Sequence, residues 1–115
     1  GPGPGERPAA YIIILHDTSI SNAVGHDAGI AAQTIMLGAA ECGLAGCMLG
    51  SITRKTLRAT LAIPDHLEII LVLALGVPAE QVVIEIAKDG EIKYWRDERG
   101  VHHVPKRPLD EIILS

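Results

Sequence analysis

The 115-residue chain has no Phe, one Trp and two Tyr. Single-stranded nucleic acids are held largely by bases stacked on aromatic rings, and Tyr11, Tyr94 and Trp95 are too few for such a surface. Positive charge is also short. Ten Lys and Arg stand against fourteen Asp and Glu, a net charge of -4. A nucleic-acid binder normally carries a basic excess, so no nucleic-acid partner is expected. Only two cysteines are present, Cys42 and Cys47, which excludes a disulfide-stapled scaffold and points to a reducing compartment, the cytoplasm. No apolar run approaches the ~20 residues that span a bilayer, so no membrane partner is expected. No basic start leads into an apolar stretch, so no secretory signal is expected either. The chain opens not on Met but on Gly1-Pro2-Gly3-Pro4-Gly5, a linker composition found in processed, tagged or cropped products. Residues 1–8 are read as an irregular lead-in.

What is present is a folded domain. Hydrophobic residues make up 48% and charged residues 21%, which argues against disorder. The length favours a single domain over 9–115. Tyr11-Ile12-Ile13-Ile14-Leu15 is a continuous, β-branched apolar run, the pattern of a strand buried on both faces. Ala23 to Cys42 reads as a helix, with Ser21 or Asn22 as cap and Gly43 as its stop. This helix is apolar nearly all round and so must be covered nearly all round. A chain this short has few elements to cover it, which predicts a dimer.

Cys47-Met48-Leu49 reads as a second strand, and Thr53 as the cap of a helix over 54–61 that Pro64 closes off. Glu68 to Leu75 is a further buried strand, ended by Gly76 and Pro78. Gln81 to Ala87 is a weaker strand, Asp89-Gly90 a turn, Lys93 to Arg107 an extended or irregular stretch, and Leu109 to Leu114 a terminal helix or strand. Strands alternating with helices give an α/β (α+β) fold. Its sheet is expected to be flanked by helices, with too few elements here to cover both faces.

Dinucleotide, P-loop, nucleophile-elbow and HExxH motifs are absent. The five histidines show no metal spacing, and no metal ligand is assigned. His102 and His103 are adjacent and point to opposite sides of an extended chain. Cys42 and Cys47 read as two structural thiols; a thiol redox pair is the rival reading. A strand ending in Gly50-Ser51 leaves backbone N–H groups free at its tip, able to donate to a flat ligand or simply to begin a turn. Lys93, Arg96, Arg99, Lys106 and Arg107 hold half of the Lys and Arg residues. Lys106-Arg107 is stiffened by Pro105 and Pro108 and reads equally as a phosphate clamp or a solvated tail.

Five segments in this order resemble the flavin-dependent nitroreductase family. They are residues 9–15, 27–33, 40–50, 71–78 and 105–112, so the similarity spans nearly the whole chain after residue 8. The resemblance is to the family's C-terminal half. Nothing here matches the Arg-rich motif that the family's N-terminal half carries for the FMN phosphate, and Arg54-Lys55 opens a different helix. The resemblance implies an α+β intertwined homodimer with FMN at the subunit interface. It implies hydride transfer from NAD(P)H through FMN to a nitroaromatic, quinone or similar small-molecule electron acceptor. It also implies that Met48, Leu49, Gly50 and Ser51 lie along the flavin ring and that Lys106 and Arg107 bind its phosphate. No catalytic side chain is assigned, because the flavin carries the chemistry. The rival reading is a non-catalytic dimerisation or small-ligand-binding module derived from a truncated nitroreductase.

Overall fold

The computed structural model of the chain describes residues 3, 5 and 7–114. Of the expected lead-in, residues 1, 2, 4 and 6 lie outside the described residues. The chain divides between Val77 and Pro78 into two compact units.

The first unit contains β1 (Ala10–Asp17), α1 (Asp27–Glu41), β2 (Ala45–Leu49), α2 (Arg54–Leu61) and β3 (Leu67–Gly76). The strands form one sheet in the order β1-β3-β2, and β3 runs antiparallel to both neighbours. Alternation along the strands places Ile14, Leu71, Leu73, Leu75, Gly46 and Met48 on one face. Helix α1 packs there: the Met36 methyl lies 3.0 Å from where a Cβ on Gly46 would stand. The other face carries Tyr11, Ile13, Val72 and Leu49, beside α2.

The core gathers on the middle strand. Ile69, Val72, Leu73 and Ala74 are buried, with Ala32 of α1. The β1 run, read as buried on both faces, is instead largely open in this chain, with Tyr11 55% exposed. It has only β3 beside it in the sheet, and on its Tyr11 face it lines an open groove against α2. Helix α1 shows the same deficit, with Ile30 and Leu37, two turns apart on one stripe, 63% and 62% exposed.

Local details differ from the expected signals. Helix α1 starts at Asp27, not after a Ser21 or Asn22 cap. His26 occupies the cap without a side-chain bond. Ser21 and its neighbours are instead held in turns. The helix ends as expected: Gly43 has φ +74°, and the Gly43 and Leu44 N–H groups reach back to the Ala40 and Ala39 carbonyls. Thr53 caps α2 in position only, since its hydroxyl makes no cap bond.

The pairing of β1 with β3 slips between Ile14 and Leu15, leaving Ile70 unopposed as a bulge. Arg54 of α2 fastens it. Its Nε donates to the Ile69 carbonyl at 2.8 Å and its Nη2 to the Ile70 carbonyl at 3.1 Å. Arg58 donates to the Ile63, Pro64 and Leu67 carbonyls. Both arginines therefore serve the backbone.

The second unit contains β4 (Val82–Ile86), β5 (Trp95–Arg96), β6 (His102–Lys106) and a single 3-10 turn (Leu109–Glu111). The sheet order is β4-β6-β5, with β4 parallel and β5 antiparallel to β6. Asp89 and Gly90 have φ of 53° and 75°, the two left-handed residues of a tight hairpin turn bridged by Lys88 and Glu91. Among the described residues no helix is long and apolar enough to cross a membrane.

Candidate functional site

The predicted site residues fall in both units. In the first, Met48 and Leu49 end β2, and alternation sends them to opposite faces. Met48 lies on the α1 side with Leu73, its register partner. Leu49 joins Ser51 on the wall of an open groove of about 770 Å³. Its floor is Tyr11, Ile13 and Val72, and its far wall is the Thr53, Thr56, Leu57, Thr60 and Leu61 face of α2. These spacings put hydroxyls and leucines on one helical face. The groove is thus an apolar sheet floor with a hydroxyl-bearing rim.

The backbone at the strand tip is open. Gly50 and Ser51 follow the last paired residue of β2, and their N–H groups have no hydrogen-bond partner among the described residues. A side chain at Gly50 would meet no atom within 4 Å. Exposed donors at the mouth of an apolar groove suit the polar edge of a flat ring whose face is apolar.

In the second unit, Lys106 ends β6 and Arg107 follows it, both exposed. The Lys106 carbonyl accepts from the Ala87 N–H at 2.8 Å, so the backbone beneath the pair is fixed. Neither side chain makes an ion pair among the described residues. Two uncommitted cations on a stiff segment are suited to an anionic group.

Sequence reasoning missed a polar cluster on β6. His103 Nδ1 lies 2.5 Å from Glu85 Oε1 and its Nε2 lies 3.5 Å from Asp97 Oδ2. Its ring stacks on Trp95, with centroids 3.9 Å apart and planes at 2°. His102, on the opposite face, meets Glu80 at 3.5 Å and the edge of Tyr94. The findable signal was the Tyr94-Trp95 pair set eight residues before His102-His103, with Asp97 and Gly100 as turn residues between. Among the described residues no group of three or more His, Cys, Asp and Glu is placed to hold a metal ion.

Three carboxyls sit below the usual carboxylate range. The Arg96 guanidinium is the main cause at Glu80, followed by His102. The Val101 N–H is the main cause at Asp97, and the Arg99 N–H and His103 add to it. At Asp17 it is the Ser19 hydroxyl and then the Ser19 N–H. Cys42 and Cys47 are both free and exposed.

The sequence model of the Nitroreductase family matches residues 7–77, more than half of the chain. The chain belongs to the nitroreductase family. The match ends with the first unit and includes the strand tip and the groove. An FMN-dependent nitroreductase from Clostridium difficile R20291 shares the fold at a TM-score of 0.59 and 25% identity. The alignment covers 64% of this nitroreductase-family chain and 48% of that one, so it spans about half of that protein's length.

Proposed function

We propose that this chain is the C-terminal portion, residues 9–115, of an FMN-dependent oxidoreductase of the nitroreductase type. The carrying observation is the tip of β2. Within the family match, Gly50 and Ser51 hold unpaired N–H groups over an apolar groove. The similarity to an FMN-dependent nitroreductase supports the cofactor. FMN supplies the hydride transfer, from NAD(P)H to a nitroaromatic, quinone or similar acceptor.

The chain's own residues bind and orient. Leu49 offers apolar contact while Met48 lies on the opposite, α1 side of the strand, Gly50 leaves room for close approach, and the Gly50 and Ser51 N–H groups donate to the ring edge. Such donors stabilise charge that develops on the ring. Lys106 and Arg107 neutralise the phosphate. The strand tip of the first unit fits the ring edge of FMN, and the Lys106-Arg107 pair of the second unit, taken by itself, suits an anionic group. The open Ile30–Leu37 stripe of α1 supports a homodimer in which a second copy covers that helix. The free thiols Cys42 and Cys47 support a reducing cytoplasm.

A visible absorption spectrum of the purified protein, with its intact mass checked, tests the reading. A flavin spectrum is expected. A colourless protein that FMN cannot restore overturns FMN binding by this chain and leaves the non-catalytic module or a fragment unable to complete its site. In flavin-loaded protein, the double substitution Lys106→Ala and Arg107→Ala should weaken FMN at least about tenfold, since a hydrogen bond to a charged group is worth about 1.5–3 kcal/mol. Unchanged affinity removes both residues from the site.

A further inference from the structure

We propose that His103 is a pH-operated latch. Protonated, it fastens the Trp95–Val101 hairpin to β6. Neutral, it lets that hairpin loosen. The hairpin needs a fastener because β5 is only two residues long, paired through Trp95 with His103 and Arg96 with His102. So short a strand is marginal on its backbone bonds alone.

The groups around His103 come from each element packed on it. Glu85 of β4 faces Nδ1 at 2.5 Å, and Asp97 of the β5–β6 turn faces Nε2 at 3.5 Å. Trp95 of β5 covers one ring face. On the other side of the sheet, His102, Glu80, Arg96 and Tyr94 form a separate group. His103 Nε2 is buried and makes no hydrogen bond among the described residues. A neutral imidazole has one N–H and an imidazolium has two. Two carboxylates, one at each ring nitrogen, are therefore served together only by the protonated ring. An imidazolium stacked on an indole also gains cation–π attraction. Deprotonation leaves one carboxylate facing a lone pair and weakens the stack, while the turn keeps its Asp97 Oδ1 bonds to the Arg99 and Val101 N–H groups and the backbone bonds that run from the Asp97 N–H to the Val101 carbonyl and from the Gly100 N–H to the Asp97 carbonyl.

Trp95 is the only Trp, so indole fluorescence, excited apart from Tyr11 and Tyr94, comes from this stack. Protonated imidazole quenches indole. Intensity of the full chain should rise in one step as the His103 ring gives up its proton on raising the pH. Over the same step, amide exchange at Asp97 and Val101, corrected for intrinsic rates, should lose at least about tenfold of its protection. His103→Gln should abolish both changes, and His102→Gln should keep them. Asp97→Asn retains the Oδ1 acceptor but removes the charge at Nε2, so its step should move to lower pH. Should His103→Gln fail to fold, Asp97→Asn carries the test. A step that survives in His103→Gln, a step that does not move in Asp97→Asn, or wild-type protection that stays constant across the range overturns the latch.

Discussion

Leu73 and His103 hold equivalent places, each on the middle strand of a three-stranded sheet. Leu73 is 0% exposed among Ile69, Val72 and Ala74, with Ala32 buried in α1. His103 is wedged between two carboxylates and an indole, and none of the buried apolar core residues lies in its unit. The first sheet is held by a force insensitive to pH and to the direction of approach. The second is held by a few directional contacts whose strength follows protonation. Two ways of filling the centre of a small sheet thus coexist in one chain.

Leu73→Ala should sharpen this contrast most. It deletes a fully buried large side chain of the first unit and should cost about 2–5 kcal/mol, read by chemical denaturation. A cost under about 1 kcal/mol would mean that β3 is no true core strand. Gly46→Ala should come next. Its Cβ would stand 2.5 Å from the Ala74 carbonyl oxygen and 2.7 Å from Leu75 Cδ2, so the β2–β3 backbone must shift. Overpacking of that kind costs about 1–3 kcal/mol. Wild-type stability in Gly46→Ala would show that β2 is free to move away from β3.

The smallest effect concerns acid. Asp97 titrates below its ordinary value, chiefly because the Val101 N–H donates to it. Its contribution is therefore present above the unfolded carboxylate range and lost as pH falls through the folded value. Acidification below the ordinary carboxylate range, where His103 is already protonated, should loosen the 97–101 turn while leaving exchange of the β3 amides unchanged. Equal loss at both places would abolish the distinction between the two units.

Much of the first unit was legible because its signals are local. An apolar run with Gly and Pro punctuation marks each strand, and α2 was read at the residues it occupies, Arg54–Leu61. Gly43 was legible as a helix stop because only a left-handed residue closes that turn without strain. The start of α1 was not legible, since several cap-forming residues precede it and none is used. The strand tip was readable as Gly50-Ser51, but Met48 and Leu49 facing opposite ways followed only from the register with β3. In the second unit, β5 and β6 lay within a stretch read as extended or irregular. The place of β6 in its sheet rests on contacts such as that of Glu85 in β4 with His103, 18 residues apart. No sequence period marks such a contact.

The sequence by itself determined the element types of the first unit and the family, because propensity, apolar pattern and turn chemistry act over a few neighbours. Only the tertiary structure decided that β3 is the central strand, that Arg54 secures a bulge, and that His103 faces two carboxylates. Each of these depends on which distant backbone comes alongside, and that is set by the packing of whole elements.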